Sequence, residues 1–243
     1  MNEGLSRPAF YALRPGGWRD FVTLLHPPYT AWHLSYVALG AAAAPVVHGD
    51  RLLAALGAFF LAVGIGAHAL DELNGRPLGT RLSERTLVAL AVTSLAGAVA
   101  IGVAGLVIVS PGLAPFVVAG AFIVVAYNLE LFGGRFHGDL WFAVAWGAFP
   151  AFTSYWVNAL SVRPEGVLVA TACLLLSVAQ RRLSTPAREL RRRTAAVVGE
   201  QRLRDGEVVP LSVTRLAAPL EGALSALSLG LVLMAAALVV VRL

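Results

Sequence analysis

Residues 52–76 of the chain read LLAALGAFFLAVGIGAHALDELNGR, an apolar run that ends in ionisable side chains. The first part, 52–70, is almost uniformly apolar and has about the length, roughly 20 residues, that a helix needs to cross a bilayer. His68, Asp71 and Glu72 are spaced at i, i+3 and i+4, so they share one face of that helix. Ionisable groups at the end of a membrane helix are costly unless they have a partner or a function, and a His-Asp-Glu face suits a divalent cation. This face is therefore predicted to belong to a functional site.

The composition of the chain is that of a membrane protein. Of its 243 residues, 58% are hydrophobic and 14% are charged, and the mean hydropathy is +0.74. Soluble domains usually contain about 25% charged residues. The pI of about 10.1 is compatible with nucleic-acid binding, but the arginines flank apolar runs, as membrane orientation requires, so no nucleic-acid partner is predicted. The single cysteine, Cys173, lies in an apolar run and supports neither a disulfide nor a thiolate metal site.

The apolar runs predict an all-α, polytopic membrane bundle. They form a single transmembrane domain, 29–243, which follows a cytoplasmic N-terminal segment, 1–28, and contains a basic cytoplasmic loop at 181–210. Runs of about 20 residues predict seven transmembrane helices. These cover approximately Tyr29–Val47, Leu52–Leu70, Thr86–Val109, Gly112–Leu131, Leu140–Leu160, Gly166–Gln180 and Gly222–Val241.

The distribution of arginine predicts the orientation of the bundle in a cell membrane. Arginine is concentrated in the N-terminal segment and in the segments after the second, fourth and sixth spans, whereas the intervening loops carry only Arg51 and Arg163. By the positive-inside rule, the N-terminus and the basic segments face the cytoplasm. Polar residues from four spans then lie in one layer, which predicts a cavity open to the cytoplasm.

Two stretches on this side resemble motifs of the UbiA-type intramembrane prenyltransferase superfamily. The segment GIGAHALDELNGRPLGTR, 64–81, falls where that family has its first aspartate-rich motif. The segment YNLELFGGRFHGDLWFAVAWGAFP, 127–150, resembles the tyrosine-containing segment after the family's fourth span. The family's second acidic motif would fall near 178–189, where only Glu189 is acidic and arginine is the commonest residue. The resemblance implies a divergent UbiA-like bundle.

The resemblance also implies roles for particular side chains. Asp71, Glu72 and Tyr127 are predicted to be catalytic, and the predicted cofactor is Mg²⁺, held by His68, Asp71, Glu72 and Asn74. The predicted substrate is an isoprenoid diphosphate or another lipid. Guanidinium groups bind phosphate oxygens well, so arginines in place of the second acidic motif are expected to replace a metal ion. The residues predicted to bind substrate are Arg76, Arg81, Asn128, Arg135, Arg181, Arg182 and Arg188.

The leading hypothesis for function is transfer of a prenyl or related lipid group from a diphosphate donor. A second hypothesis is a membrane enzyme that uses Zn²⁺ or Fe²⁺ on a lipid substrate, with His33, Glu130, His137 and Asp139 as further ligands. A third is a protein that binds an isoprenoid or other lipid without catalysis. Membrane lipids are expected partners in each case, and the lack of the family's last spans leaves a flank that a second copy of the chain would cover.

Each of these residues also has a structural interpretation, which the sequence leaves open. Asp71 and Glu72 can pair with Arg76 at the helix end. The basic segment after the sixth span can act only as an orientation signal and a contact for anionic lipids. The remaining alternatives are His33 as a packing residue, His137 and Asp139 as helix-capping residues, and Glu130 as an ion-pair partner of Arg135.

Overall fold

The computed structural model describes residues 7–243, which form a helical bundle and one short β-hairpin. A short helix, α1 (Trp18–Leu24), precedes the bundle. The long helices are α2 (Pro27–Ala43), α3 (Gly49–Leu73), α4 (Glu84–Ile108), α5 (Pro111–Asn128), α6 (139–159), α7 (Pro164–Arg192) and α8 (Val213–Arg242). A short turn, Leu131–Gly134, connects α5 to α6 and has left-handed backbone angles at Phe132 and Gly133. The strands β1 (Glu200–Arg202) and β2 (Val208–Pro210) pair antiparallel between α7 and α8.

Five of the helices have the length and hydropathy to cross a membrane, namely α3, α4, α5, α7 and α8. They coincide with the second, third, fourth, sixth and seventh predicted spans, so the chain is a helical membrane protein. Helix α2 has 17 residues, and α6 is not among the five, although it extends over 139–159. Membrane crossing by α2 and α6 stays a prediction.

The helix that contains the sixth predicted span continues beyond the apolar run. The sequence predicted a span at Gly166–Gln180 and a basic loop from residue 181, whereas α7 continues to Arg192. Residues 181–192 are mostly arginine, leucine, alanine and glutamate, which favour a helix. Arg191 also forms a two-point ion pair with Glu221 of α8. Five arginines of the predicted loop are therefore held on a helix: Arg181, Arg182, Arg188, Arg191 and Arg192.

Close approach of helix backbones holds the centre of the bundle together. A Cβ atom at Gly40 of α2 would overlap with the carbonyl of Ala151 in α6, and one at Gly147 of α6 would lie 2.7 Å from the carbonyl oxygen of Cys173 in α7. Small residues at such crossings increase the van der Waals contact between membrane helices. Trp32 of α2 is fully buried beside these contacts.

The N-terminal residues lie across one end of the bundle. Ala9 packs with Leu78 of the loop between α3 and α4. The carboxylate of the buried Asp20 accepts backbone N–H groups from Gly16 at 2.9 Å and from Arg81 at 3.2 Å. These contacts fix the N-terminal segment over the end where α3 and α7 finish, which we call the arginine-rich end.

Candidate functional site

The carboxylate of Asp71 has no hydrogen-bond or ion-pair partner in the described part of the chain. It lies in the last turn of α3, is half-buried, and forms no hydrogen bond or ion pair with any residue between 7 and 243. Its charge interacts with those of Arg192 and Arg188 on α7. Such a carboxylate is available to a ligand, because it is engaged in no contact that stabilises the fold.

Arg188 is the residue around which the other polar groups of this end are arranged. Its half-buried guanidinium donates one hydrogen bond, at 3.4 Å, to the hydroxyl of Thr185 and forms no ion pair within the described part of the chain. The groups that interact with it electrostatically come from the N-terminal segment and from α2, α3, α5 and α7. We call the following residues the Arg188 cluster: Tyr11, His26, Tyr29, Asp71, Tyr127, Arg188 and Arg192.

The Arg188 cluster contains more positive than negative charge. Arg188 and Arg192 face a single carboxylate, that of Asp71. The nearby carboxylates of Asp139 and Glu221 are each paired with another arginine. Excess charge away from bulk water is costly unless a counter-ion binds. The cluster therefore favours an anionic ligand.

His26 and Tyr11 join the cluster from the N-terminal segment. The His26 ring stacks on that of His68, with ring centroids 4.0 Å apart, and its Nδ1 is hydrogen-bonded to the Tyr11 hydroxyl at 2.8 Å. Burial lowers the pKa of His26, and the positive charges of Arg192 and Arg188 lower it further. Burial raises the pKa of Tyr11. Both side chains are therefore uncharged at neutral pH.

Three other histidines donate hydrogen bonds from Nδ1 to backbone carbonyls: His33 to Trp146 at 2.8 Å, His68 to Gly64 at 3.1 Å, and His137 to Tyr127 at 3.0 Å. The first two acceptors lie in the π-helical segments of α6 and α3, where the wider turn changes the i→i−4 hydrogen-bond pattern. The tautomer assigned from these bonds leaves a lone pair on each Nε2. Metal-binding histidines use the same arrangement.

The possible metal ligands nevertheless do not converge. No group of three or more His, Cys, Asp or Glu side chains among residues 7–243 is placed to hold a metal ion. The set predicted to bind metal was His68, Asp71, Glu72 and Asn74, with His33, Glu130, His137 and Asp139 as weaker candidates. Mg²⁺ in phosphate-handling sites is commonly held by one or two carboxylates, by water and by the phosphate itself. A Mg²⁺ ion at this end would be held by the Asp71 carboxylate together with ligands from outside the described residues.

Glu72 is engaged by the loop between α3 and α4. It is fully buried, and its carboxylate accepts hydrogen bonds from the Leu78 N–H at 2.9 Å, the Thr80 N–H at 2.8 Å and the Thr80 hydroxyl at 2.9 Å. Arg76 closes the same loop by donating to the carbonyls of Thr80 at 3.2 Å and Leu82 at 2.6 Å. Glu72 and Arg76 do not pair with each other, and both stabilise this loop.

Asn74 links the end of α3 to the end of α5. Its amide donates to the Asn128 carbonyl at 3.4 Å and to the Glu130 carboxylate at 3.5 Å. The buried Asn128 in turn donates to the Val124 carbonyl at 2.7 Å, and Glu130 lies 4.0 Å from Nε2 of His137. The two motif-like segments of the sequence therefore meet, and these polar groups hold them together.

Tyr127 has a buried hydroxyl without a hydrogen-bond partner in the described part of the chain. Its ring packs against those of His137 and Trp146, with centroid separations of 4.5 Å and 5.5 Å. The hydroxyl interacts electrostatically with Arg188 and Asp71. Tyr127 therefore adds an unsatisfied polar atom to the cluster.

The other arginines predicted to bind substrate are paired, exposed or part of a loop, although the charge of Arg181 also acts on Arg188 and Tyr127. Arg181 donates from Nε to Asp139 at 2.9 Å, and its guanidinium lies 5.1 Å from the centre of the Phe142 ring. The side chains of three more are exposed: Arg81, Arg135 and Arg182. Of the arginines predicted to bind substrate, Arg188 is a member of the cluster, and Arg181 adjoins it while paired with Asp139.

An apolar cavity of about 160 Å³ lies between α3, α4, α5 and α6. Its lining is hydrophobic except for Arg51 and Thr153. Trp146 separates it from the Arg188 cluster, since Trp146 lines the cavity and packs edge-on against Tyr127. A cavity of this size and lining is suited to a short hydrocarbon segment.

Four members of the cluster were not predicted as site residues from the sequence: Tyr11, His26, Tyr29 and Arg192. His26 did carry a local signal, because it stands directly before the Pro27-Pro28 pair that begins α2. Tyr11 and Arg192 carried none, since their partners are remote in sequence.

The chain was compared with protein-family models, with curated proteins and with solved structures, and none of them matches it.

Proposed function

We propose that this chain is a UbiA-like membrane enzyme that transfers a prenyl or related isoprenoid group from a lipid diphosphate. The observation that supports it most is the Arg188 cluster, in which the free carboxylate of Asp71 is surrounded by excess positive charge. A diphosphate has the charge that such arginines bind. The adjacent apolar cavity suits the hydrocarbon part of the same ligand.

In this proposal Arg188 and Arg192 bind the diphosphate oxygens. Asp71 would hold a Mg²⁺ ion, which would supply neutralisation of the leaving group's charge. The unsatisfied hydroxyl of Tyr127 donates to the ligand. Glu72 stabilises the loop beside the site and does not contact the ligand.

Transfer breaks the bond between C1 of the isoprenoid and a diphosphate oxygen, and the electron pair leaves with the diphosphate. The acceptor atom forms a bond to C1 and loses a proton. Arg188 and Arg192 stabilise the charge that develops on the leaving oxygen. The rings of Tyr127 and Trp146 offer π faces to the positive charge on the allylic carbon.

The proposal is tested by incubating the purified full-length protein, in lipid nanodiscs, with an isoprenyl diphosphate, Mg²⁺ and a membrane lipid extract as the source of acceptor. We expect release of pyrophosphate and a prenylated product in the mass spectrum.

Asp71→Asn keeps the size of the side chain and removes its charge. It is expected to lower turnover about 100-fold or more without lowering the melting temperature. Wild-type turnover in Asp71→Asn would refute the role of this carboxylate.

The same preparation separates the alternatives. The specific observation that favours a lipid-binding protein without catalysis is that no three His, Cys, Asp or Glu side chains among residues 7–243 are placed to hold a metal ion. If an isoprenoid lipid stabilises the folded protein and the assay releases no pyrophosphate, the lipid-binding alternative is favoured. Stabilisation by Zn²⁺ or Fe²⁺ but not by Mg²⁺ would favour a transition-metal enzyme.

We also propose that α2 and α6 cross the membrane and that the arginine-rich end faces the cytoplasm. The chain has one cysteine, Cys173, which is buried, so introduced cysteines can be labelled selectively. In intact cells, a membrane-impermeant thiol reagent should label Asp50→Cys and should not label Arg135→Cys until the membrane is permeabilised. The reverse pattern would overturn the orientation.

A further inference from the structure

His26 carries a buried ring nitrogen that nothing in the described protein satisfies. Its side chain is nine-tenths buried, and Nε2 has no hydrogen-bond partner among residues 7–243. Buried polar atoms in native proteins are nearly always hydrogen-bonded, so an unsatisfied one calls for a partner that is missing. Since Nδ1 is already bonded to the Tyr11 hydroxyl, the missing partner must meet the opposite side of the ring.

The hydrogen bond to Tyr11 decides whether Nε2 is a donor or an acceptor. If Nδ1 donates to the hydroxyl oxygen, the hydroxyl proton and the Nε2 lone pair are both left without partners. If the hydroxyl donates to Nδ1, only the Nε2–H group is left. The second arrangement leaves fewer unsatisfied atoms and is favoured. His26 therefore has a free N–H donor at Nε2.

The surroundings of that donor select the charge of its partner. His26 and Tyr11 both interact electrostatically with Arg188 and Arg192. A cation is repelled by these arginines and finds no lone pair on a protonated Nε2. An anionic oxygen accepts from Nε2–H and neutralises the excess positive charge at the same time.

We propose that His26 is an anion-binding residue, which donates its Nε2–H to a phosphate oxygen of the ligand held by Arg188 and Arg192, with Tyr11 as the positioning residue that sets the tautomer. This inference rests on the phosphate-binding part of the proposed function and requires no prenyl transfer. The N-terminal segment then takes a direct part in ligand recognition, whereas its sequence indicated only a cytoplasmic extension.

The N-terminal segment contacts an arginine of the proposed anion site, so its docking should depend on the ligand. Arg192 donates from Nε to the Pro8 carbonyl at 3.0 Å, so one arginine contacts both the segment and the anion site. Phe10 and Tyr11 pack edge-on against Tyr29, which also interacts with the arginines. A bound phosphate is therefore expected to stabilise the docking of residues 8–26, because it adds a contact to the folded segment.

The first test measures binding of inorganic pyrophosphate, with and without Mg²⁺, to the full-length protein in detergent by calorimetry. His26→Phe is expected to weaken binding about tenfold, because it removes one charge-assisted hydrogen bond. His26→Gln keeps an N–H donor and is expected to recover part of the loss. The matched control, His48→Phe, changes a histidine at the opposite end of the bundle and should bind like the wild type.

A second measurement separates recognition from a structural role. The ¹⁵N shifts of labelled histidine should show His26 as the Nε2–H tautomer, with the Nε2 signal moving on addition of pyrophosphate. In Tyr11→Phe the tautomer preference should be lost while the melting temperature stays close to that of the wild type. Pyrophosphate should also slow amide hydrogen exchange in residues 8–26.

The outcomes distinguish this inference from the proposed enzyme. Pyrophosphate binding that depends on His26, without any prenyl transfer, supports the inference and refutes the transferase. Prenyl transfer together with equal pyrophosphate affinity in wild type, His26→Phe and His26→Gln refutes the inference and leaves the transferase standing. A wild-type protein that binds no pyrophosphate, with or without Mg²⁺, contradicts the inference.

Discussion

At the scale of residues, two adjacent carboxylates have different environments. Glu72 is fully buried and accepts three hydrogen bonds from the loop that follows it, whereas Asp71 accepts none from the described protein. Neighbouring positions on a helix point in directions about 100° apart. The Glu72 side chain therefore turns towards the loop, and the Asp71 side chain turns towards α7. The spacing of the two acids was visible in the sequence, but their separate environments were not.

Arg188 provides the sharpest prediction at this scale. Arg188→Gln is expected to raise the KM for an isoprenyl diphosphate at least tenfold, because the guanidinium is half-buried and has no carboxylate partner in the described chain to compensate its charge. Arg182→Gln, six residues earlier on the same helix and exposed, is the matched control and should leave KM unchanged. Steady-state kinetics of the two variants measure the difference, and an equal effect in both would point to a general loss of positive surface charge.

At the scale of elements, the arginine-rich end is built from segments that sequence analysis treats separately. Helix α7 extends twelve residues beyond its predicted span, from 181 to 192, and so carries Arg188 and Arg192 on a rigid element. The loop between α3 and α4 is fixed from within by Glu72 and Arg76. A continuous helix and a loop closed by hydrogen bonds therefore position the charged groups of the site.

Glu72→Gln tests the role of that loop. The substitution replaces one carboxylate oxygen with an NH₂ group that faces backbone N–H donors, so the free energy of unfolding should fall by about 2 kcal/mol. Thermal unfolding in detergent, compared with Asp71→Asn, checks this. Equal melting temperatures for Glu72→Gln and wild type would mean that the carboxylate does not hold the loop.

At the scale of the whole molecule, the bundle combines a charged end with an apolar interior cavity. The cavity is lined from α3, α4, α5 and α6 and reaches Trp146, whose ring contacts Tyr127 of the cluster. The two regions therefore lie on either side of one aromatic layer. This arrangement suits a ligand with an anionic head and a hydrocarbon chain.

Filling the cavity should change which lipid the protein accepts. Ala121 lines the cavity, and Ala121→Phe is expected to reduce turnover of longer isoprenyl diphosphates several-fold more than that of the shortest one. Ala119 lies on the same helix with its side chain exposed, so Ala119→Phe serves as the control of equal size. A panel of donors of increasing length measures the effect, and identical length profiles for both variants would exclude the cavity as the chain-binding region.

The sequence by itself determined that this is a helical membrane protein and that Asp71 stands at the end of a transmembrane helix. Both follow from local properties, since hydropathy and helical periodicity depend only on neighbouring residues. Contacts between distant residues required the tertiary structure. Folding brings Tyr11 and His26 to Arg188 and Arg192, hydrogen-bonds Glu72 to a loop, and leaves Asp71 without a partner among residues 7–243. No local pattern encodes which buried polar groups find partners, because that depends on how the whole bundle packs.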